Sequence, residues 1–471
     1  MVGLDAIIGS INNVLWSYVL IVLLIAVGVL FSIRTGFVQI RYIGEMFRLL
    51  KEGVGQKTTG HQISSFQAFC VSTASRVGVG NIAGIAIAIV LGGPGAIFWM
   101  WIIAILGSAT GFVESTLAQI YKVPRDHGGF HGGPAYYIKN ALHMPKLAVV
   151  FAILLTTTFA LIYNSVQSNT ISLSIETAFG FDRFTIGIII SLLTAAVIFG
   201  GAHRIAKVAE FMVPIMAGIY ILIAIVITLI NIDKVPSMVA LILSSAFSPD
   251  AAVGGGIAGV VMTGIKRGLF SNEAGEGSVP NAAATADATH PVKQGLIQAF
   301  GVFVDTLLVC SASAFVILLS GVYEIGGEVT GIALAQKAMA FHLGGWAPVF
   351  MAIMICLFAF SSIIGNYYYG EINIAYLNGS KAIMFVFRLF VVGMVFFGSV
   401  AKLSLVWDMA DLFMAFLAMT NLYAIVRLFT YAKIALEDYQ KQKDGGKVDP
   451  EFDPAVMPET DGIAAWGMDK K

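Results

Sequence analysis

The sequence predicts an all-α membrane protein with eleven transmembrane helices: a five-plus-five inverted repeat with two broken helices, plus one extra N-terminal helix. Three observations predict this class. Of the 471 residues, 58% are hydrophobic and only 12% are charged, whereas soluble domains usually contain about 25% charged residues. Apolar runs of about 20 residues, the length that spans a bilayer, recur along the whole chain. Two of these runs are interrupted by glycine and polar residues at matching positions.

The apolar runs give the predicted helices and, from them, the predicted domains. The helices lie near residues 14–33, 66–91, 94–120, 147–178, 184–200, 205–230, 251–287, 292–320, 346–377, 382–400 and 404–432. The first helix has no basic residue before it and no cleavage pattern soon after it, so we expect it to be retained. The domains are the extra helix with its loop (1–62), the first repeat (63–235), the second repeat (236–432) and a tail (433–471).

Two predicted helices are broken. The run 66–91 contains VSTASRVGVGNIAG at 71–84, and the run 251–287 contains GGG at 254–256 and GLFSNEAGEGS at 268–278. Without the extra helix, these runs are the first and sixth of ten. Because five is an odd number, two halves of five helices must enter the membrane from opposite sides. Interrupted helices at matching positions of such halves indicate a transporter binding site near the bilayer midplane.

The basic residues predict the orientation. One alternating set of loops holds thirteen Lys and Arg residues and the other set holds four. Positive charge accumulates in cytoplasmic loops, so the first set is assigned to the cytoplasm. The N-terminus is then outside, and the tail is cytoplasmic and weakly ordered. We expect a multi-pass protein of the plasma membrane (the cell inner membrane), surrounded by lipid.

The first break offers backbone groups to a ligand. Gly78 and Gly80 permit the helix to unwind, and the unwound turn releases N–H and carbonyl groups that need polar partners at this depth. The N–H groups that begin the next half-helix can hold a carboxylate, and the carbonyls that end the preceding one can hold a cation. The alternative is that glycine allows close helix packing and that Asn81 forms an interhelical hydrogen bond.

Two long motifs resemble a known family. GGPGAIFWMWIIAILG at 92–107 is similar to the signature of the alanine or glycine:cation symporters. KRGLFSNEAGEGSVPNAAATADATHPVKQGL with VFVDT, at 266–306, is similar to their second characteristic block. The resemblance covers nearly the whole membrane-spanning region. It implies the leucine-transporter-type fold and a carrier of alanine or glycine coupled to sodium, Na+, or in some members to protons.

The resemblance also implies a sodium site. ASRVGVGN at 74–81 resembles the break in the first helix of the leucine transporter, which implies sodium-binding carbonyls at Ala74 and Val77. Ser361 and Ser362 resemble the Thr-Ser pair that supplies hydroxyl ligands in that fold, and the Phe358 carbonyl is a further candidate. The alternative for the two serines is hydrogen bonding to their own helix backbone.

The same comparison implies a substrate pocket. The substrate carboxylate is expected at the backbone of Gly78, Val79 and Gly80. The wall of the pocket is predicted from polar or aromatic residues on helices that face the two breaks: Gln167, Phe270, Ser271, Asn272 and Asn366. For Gln167 and Asn366, simple interhelical hydrogen bonding remains the alternative.

Charged residues at membrane depth are functional candidates that need partners. Many family members have Thr where this chain has Arg76, which has three interpretations: a gate, a structural pair with Glu273, or a substitute for an ion. Asp305 is expected to bond to the second break. Glu114 and Asp411 fall near predicted helix ends, where we expect solvation.

Several functions are excluded. The net charge is zero without a strong basic block, which argues against nucleic acid as a partner. No nucleophile–base set, metal-ligand cluster or phosphate loop is present, which argues against an enzyme. The sequence therefore predicts a sodium-coupled symporter of small neutral amino acids, alanine or glycine, by alternating access. A proton-coupled carrier and a channel-like protein remain alternatives, and the sequence leaves the oligomeric state open.

Overall fold

The computed structural model describes residues 4–54, 62–125, 128–200, 202–248 and 256–466. Helices form nearly all of the regular structure, as the sequence predicts. The described residues contain one small antiparallel sheet, in which β1 (Val123–Pro124) pairs with β2 (Phe130–His131). The N-terminal part contains α1 (Leu4–Val14), α2 (Ile21–Arg34), α3 (Val38–Arg41) and α4 (Ile43–Gly53).

The remaining helices follow in two groups. The middle of the chain contains α5 (Ser65–Arg76), α6 (Ala83–Gly92), α7 (Gly95–Ile120), α8 (Pro134–Asn140), α9 (Pro145–Leu155), α10 (Asn164–Phe179), α11 (Arg183–Ile198), α12 (Ala202–Ile230) and α13 (Val235–Ser245). The C-terminal part contains α14 (Gly256–Asn272), α15 (Val279–Ala283), α16 (Pro291–Val302), α17 (Ser311–Ser320), α18 (Gly331–Leu343), α19 (Ala347–Leu377), α20 (Lys381–Val400) and α21 (Leu403–Asp444).

Short helices of other types occur within or between these elements. Three π-helical segments, Leu15–Leu20, Thr156–Tyr163 and Phe303–Cys310, join α1 to α2, α9 to α10 and α16 to α17. Single 3-10 turns lie at Val79–Asn81, Ile232–Lys234 and Pro454–Val456. A π-helical segment changes the face that a helix presents along its length, and such segments are frequent at functional sites.

Eight helical spans among the described residues are long and apolar enough to cross a membrane: Ile7–Arg34, Gly95–Ile120, Pro145–Phe179, Lys207–Ile230, Pro291–Ser320, Ala347–Leu377, Lys381–Val400 and Leu403–Asp444. The chain is therefore a multi-pass membrane protein. The other three predicted helices are shorter or interrupted. The run 184–200 forms α11, the run 66–91 forms α5 and α6, and the described part of 251–287 forms α14 and α15. Two of the three glycines of the GGG interruption, Gly254 and Gly255, lie outside the described residues.

The helices differ in how much of their surface the protein covers. The spans Lys207–Ile230 and Lys381–Val400 leave most of their apolar side chains exposed or only half-buried, and Phe211 and Phe390 are among the exposed ones. Exposed apolar side chains on a span of this length are expected to face lipid. In contrast, the facing surfaces of α7 and α16 and of α10 and α19 are buried and pack together in the interior.

The start of α5 is fixed by local hydrogen bonds. The Ser64 hydroxyl accepts the N–H of Gln67 at 3.1 Å, and the Gln67 side chain accepts the N–H of Ser64 at 3.1 Å. This reciprocal pair satisfies two donors that a helix start leaves free. Just before it, the carbonyl of Ile63 accepts the N–H of Asp287 at 2.9 Å. The first residues of the first broken helix are thereby tied to the end of the second broken helix.

The C-terminal segment 445–466 packs against the rest of the chain. The N–H of Phe452 donates to the carbonyl of Thr289 at 2.9 Å. Its buried ring lies 5.5 Å from the ring of His290 and 5.0 Å from that of Trp466. The Trp466 indole donates to the carbonyl of Gln119 at 3.0 Å. The prediction of weak order is wrong for this segment, because its aromatic side chains bury apolar surface among the helix ends.

We expect Phe452→Ala to release this segment. Truncation of a buried phenylalanine costs about 3 kcal/mol or more, which exceeds the net contribution of the single Phe452–Thr289 hydrogen bond. The expected result is faster proteolysis of the tail and a lower midpoint of thermal unfolding in detergent. Val448→Ala is the control, because Val448 is 71% exposed. Equal proteolysis rates in the two variants would contradict the packing described here.

Candidate functional site

The first broken helix opens at the end of α5. Val77 leaves helical geometry with φ −80° and ψ 83°, and a single 3-10 turn then leads into α6. Inside this turn, the Asn81 side-chain oxygen accepts the N–H of Gly78 at 2.9 Å. The side-chain oxygen of Gln167, on α10, accepts the N–H of Val79 at 3.1 Å. The turn is therefore held both from within and from a neighbouring helix.

The glycines of this turn leave space that neighbouring side chains occupy. Neither Gly78 nor Gly80 has a positive φ. A Cβ atom on Gly78 would overlap the Ser362 hydroxyl and lie 2.9 Å from Oε1 of Gln167. A Cβ atom on Gly80 would lie 2.9 Å from Cδ1 of Phe270. The unwound backbone thus touches side chains from three other helices, each of them predicted as a site residue.

Four of the predicted sodium ligands lie together between α5 and α19. The Ser362 hydroxyl lies 2.9 Å from the carbonyl oxygen of Ala74 and 3.1 Å from that of Phe358. The Ser361 hydroxyl lies 2.8 Å from the Phe358 oxygen and 3.4 Å from the Ala74 oxygen. These oxygens of Ala74, Phe358, Ser361 and Ser362 form an uncharged cluster that joins two helices and is named the oxygen group. In the described part of the chain, their hydrogen bonds do not extend to the carbonyl of Val77.

The second break follows α14. Glu273 has φ 58°, and Gly275 and Gly277 have φ 94° and 78°. Left-handed backbone is costly for residues other than glycine, so the chain cannot continue as a helix here. The break spans 273–278 before α15 begins. Its position agrees with the interruption predicted from GLFSNEAGEGS.

Asp305 connects the first break to the last turn of α14, just before the second break. Its carboxylate accepts from the Asn81 amide at 2.6 Å and from the Ser271 hydroxyl at 2.8 Å. The expectation that Asp305 bonds to the second break is confirmed in that Ser271 belongs to the predicted interruption GLFSNEAGEGS, although it lies in the last turn of α14, just before residues 273–278. Asn272, the next residue, instead donates to the Thr306 hydroxyl at 3.2 Å.

Phe270 forms an aromatic stack beside the first break. Its ring centroid lies 4.6 Å from that of Tyr163 and 4.7 Å from that of Trp407. Almost one helical turn earlier, Arg267 forms a buried ion pair with Asp411 on α21. The expected solvation of Asp411 is therefore wrong.

Asn366 lies one turn beyond Ser362 and bonds to two other helices. Its amide donates to the Asn164 side-chain oxygen at 3.1 Å. Its own side-chain oxygen lies 2.6 Å from the hydroxyl of Ser75, the residue after Ala74. Asn366 is thus placed at the first broken helix, and its polar atoms already have protein partners.

Arg76 is buried, but its partner is not Glu273. The guanidinium donates to the backbone oxygen of Gln298 at 3.2 Å and to its side-chain oxygen at 3.1 Å. The two carboxyl oxygens of Glu273 instead lie 2.6 Å from the hydroxyls of Ser75 and Ser278. The predicted pair is therefore wrong, although Arg76 is structural in the sense that it ties α5 to α16. The signal in the sequence that could have indicated this contact is the pair Gln294 and Gln298, which are spaced by four in an apolar helix.

Glu114 also differs from expectation. It is fully buried rather than solvated, and it accepts from the N–H of Gly275 at 3.1 Å and from the Asn421 amide at 2.7 Å. Glu114, on α7, therefore holds the second break from a neighbouring helix.

Sequence reasoning also missed Tyr163 and Trp407, because one aromatic residue in an apolar helix does not stand out.

Comparisons with known proteins agree with this architecture. The profile of the sodium:alanine symporter family matches residues 1–454. The probable sodium/glutamine symporter GlnT of Bacillus subtilis (strain 168) is 53% identical over 463 residues, which cover 98% of this chain and 96% of that protein. The putative sodium/proton-dependent alanine carrier protein YrbD of the same strain is 44% identical over 465 residues, which cover 96% of this chain and 95% of that protein.

A solved structure is similar in fold. The crystal structure of a manganese transporter from Eremococcus coleocola superimposes with a TM-score of 0.52 at 12% identity, over 82% of this chain and 79% of that chain. At this identity the likeness concerns the fold alone. The family match and the relatives together show a transporter rather than an enzyme, with sodium as the co-transported ion. The chain belongs to the sodium:alanine symporter family.

Proposed function

We propose that this chain is a sodium-coupled symporter of small neutral amino acids, above all alanine and glycine, that works by alternating access. The main supporting observation is the position of Gly78. Its Cα faces both the Ser362 hydroxyl, in the oxygen group between α5 and α19, and Oε1 of Gln167. An ion and a substrate bound on these two sides would lie next to each other at the end of one half-helix. Binding of either one would then order the turn that the other needs.

The proposed sodium ligands are the carbonyls of Ala74, Val77 and Phe358 and the hydroxyls of Ser361 and Ser362. Uncharged oxygen ligands suit a hard cation that must be released in every cycle. The distances among four of these residues support the proposal, since their oxygens already meet between two helices. Val77 is included on the resemblance to the leucine-transporter-type break.

The proposed substrate site uses the backbone from Gly78 to Gly80 for the carboxylate, in the turn that leads into α6, where helix N–H groups favour negative charge. The N–H groups of Gly78 and Val79 bond to Asn81 and Gln167 in this structure, so substrate binding would exchange these partners. Gln167 is the polar contact from α10, and Phe270 closes the pocket. Ser271, Asn272 and Asn366 complete the proposed set, although each of them already bonds to protein groups. Their role is therefore proposed as shaping and positioning the pocket.

The finer topology belongs to the same proposal. Ten membrane helices in two inverted repeats, 63–235 and 236–432, together with the extra N-terminal helix, account for the eight long spans, for α11 and for the two broken helices. The distribution of Lys and Arg supports an external N-terminus and a cytoplasmic C-terminus in the plasma membrane. In this orientation the site is closed toward the outside by the Arg267–Asp411 ion pair and by the aromatic stack around Phe270.

Glutamine is the second candidate substrate, because the relative at 53% identity is named a sodium/glutamine symporter. Proton coupling is the second candidate for the driving ion, because another relative is named sodium/proton-dependent. Uptake of alanine, glycine and glutamine into proteoliposomes, with sodium or with choline and at two pH values, separates these possibilities. Sodium-dependent uptake of alanine supports the proposal, and equal uptake in choline contradicts it. Counterflow exchange excludes the channel-like alternative.

We expect leucine to compete poorly with alanine. Val79, Gln167 and Phe270 lie at the turn, so we expect the proposed pocket to have room for a methyl group but not for an isobutyl group. Each methylene group contributes about 1 to 3 kcal/mol of discrimination, so serine and 2-aminobutyrate should inhibit partially. The measurement is inhibition of labelled alanine uptake at saturating sodium. Equal inhibition by unlabelled leucine and unlabelled alanine would refute the small pocket.

A further inference from the structure

Glu273 joins both broken helices through its carboxyl group. One oxygen, Oε1, lies 2.6 Å from the hydroxyl of Ser75 at the end of α5, and the other, Oε2, accepts from the hydroxyl of Ser278 at 2.6 Å. The residue is 2% exposed, and its φ of 58° is in the left-handed region. Such backbone costs free energy in a residue other than glycine and is concentrated at functional sites.

The Ser75 hydroxyl lies between two oxygen atoms. It is 2.6 Å from Oε1 of Glu273 and also 2.6 Å from Oδ1 of Asn366. A hydroxyl has one hydrogen, so it can donate to only one of these two atoms. The other short contact needs a hydrogen from elsewhere, because two oxygens at this distance repel unless a hydrogen lies between them.

Asn366 cannot supply that hydrogen. Its amide nitrogen donates to Oδ1 of Asn164 at 3.1 Å. The orientation of Asn164 is fixed in turn, since its own amide nitrogen donates to the backbone oxygen of Ala160 at 3.0 Å. The atom that Asn366 directs to Ser75 is therefore an acceptor, and Ser75 donates to it.

We propose that Glu273 is a proton-binding site. Its carboxyl group carries the proton on Oε1, and this O–H donates a hydrogen bond to the Ser75 hydroxyl oxygen. Ser75 then donates to Asn366, Ser278 donates to Oε2 of Glu273, and every short contact contains one hydrogen. The oxygen–oxygen distance of 2.6 Å accommodates a hydrogen but no metal ion. The proton enters from water when the site opens, and it holds α5, the second break and α19 in the closed arrangement.

The charges around Glu273 favour the same assignment. Among the described residues, no cation forms an ion pair with it, since the guanidinium of Arg76 bonds to Gln298. Oε1 of Glu276, in the same break, is buried and has no hydrogen-bond partner in the part of the chain that the structure describes. The titratable and charged groups that act on Glu273 from the neighbouring elements are Arg76, Tyr163, Glu276, Asp305 and Tyr369. Three buried carboxyl groups near one guanidinium cannot all be ionised at low cost in this environment.

Infrared difference spectroscopy on the purified protein tests the site without any transport assay. We expect wild type to show the carbonyl stretch of a protonated carboxylic acid that is sensitive to deuterium exchange. Glu273→Gln should lose this band, and Glu276→Gln should keep it. Loss in Glu276→Gln alone would place the proton on Glu276 and overturn the assignment. A wild-type spectrum without such a band would also overturn it.

A second variant covers the case in which Glu273→Gln does not fold. Ser75→Ala removes the acceptor of the proton, so the band should move to higher frequency as the hydrogen bond is lost. Ser278→Ala removes a donor to the other oxygen and leaves the proton in place. An unchanged band in Ser75→Ala would contradict the proposed bond.

The pH profile of sodium-driven alanine uptake is a separate readout, and it rests on the proposed function. Above the midpoint of titration, wild-type uptake should fall by about tenfold per pH unit, the slope of a single group. Glu273→Gln, whose amide donates permanently, should be independent of pH over the same range. Glu371→Gln, on the same helix as Asn366 but outside the site, should keep the wild-type profile. If uptake is absent throughout, the infrared result still decides the proton site.

Discussion

Gly78→Ala is expected to abolish sodium-driven alanine uptake while the protein still inserts and folds. The added methyl group would overlap the Ser362 hydroxyl and lie 2.9 Å from Oε1 of Gln167. Overpacking of this kind costs about 1 to 3 kcal/mol, and a cost near the upper end corresponds to about a hundredfold loss of affinity. Because Gly78 faces both proposed sites, sodium and alanine binding should weaken together. Equilibrium binding of each ligand to purified protein measures this directly.

Two matched glycine variants make the result specific. Gly80→Ala crowds Phe270, at 2.9 Å, and the three atoms nearest to its new methyl group belong to Phe270 and Ser271, so it should weaken alanine binding more than sodium binding. Gly111→Ala lies in α7, where the nearest atom to the new methyl would be 3.6 Å away, so it should behave like wild type. Wild-type binding of both ligands by Gly78→Ala would show that neither site adjoins this turn.

The sequence predicts the breaks well because their signals are local. Glycine and polar residues inside apolar runs cannot form an ordinary lipid-facing helix, so VGVG and NEAGEG locate the interruptions without any knowledge of neighbouring helices. The contact of Asp305 with the second break was predicted for a related reason. A carboxylate at membrane depth needs a polar partner, and the break offers nearby donors.

The partners of buried charges were harder to predict because they depend on packing between distant segments. Glu114 meets Gly275 and Asn421, and Arg76 meets Gln298 instead of Glu273. Each contact joins residues far apart in sequence, and the apolar pattern does not specify which face of one helix meets which face of another. The contacts of the two glycines in the first break depend on distant segments in the same way. Their need for space comes from Ser362, Gln167 and Phe270, which lie on three other helices.

The oxygen group between α5 and α19 explains how an ion could control the substrate site. Ala74 ends the half-helix that leads into the turn, and Ser362 touches both the Ala74 carbonyl and the space beside Gly78. An ion held by these oxygens would fix the distance between the two helices and therefore the shape of the turn. Sodium binding would then favour the arrangement of α5 and α19 in which the turn can bind alanine. Coupling of this kind requires no direct contact between the two ligands.

Replacing Ser361 and Ser362 together by alanine is expected to raise the sodium concentration for half-maximal uptake. The double variant removes two hydroxyl ligands, and loss of a bond to a charged group costs about 1.5 to 3 kcal/mol, equivalent to an increase of about ten- to a hundredfold. Alanine affinity at saturating sodium should change less, because the turn itself is intact. Alanine should still tighten sodium binding by the same factor by which sodium tightens alanine binding, since linkage is reciprocal.

The control for this variant is Ser399→Ala. Ser399 is a buried membrane serine whose hydroxyl, among the described residues, bonds only to the Val395 carbonyl of its own helix, at 3.0 Å. It should leave the sodium dependence of uptake unchanged, because the same kind of hydroxyl is lost away from the oxygen group. If Ser361→Ala/Ser362→Ala keeps the wild-type sodium dependence, the two hydroxyls are local helix bonds and the ion lies elsewhere. If sodium affinity falls in this variant and not in Ser399→Ala, the ion joins α5 to α19, the two helices whose approach shapes the turn at Gly78.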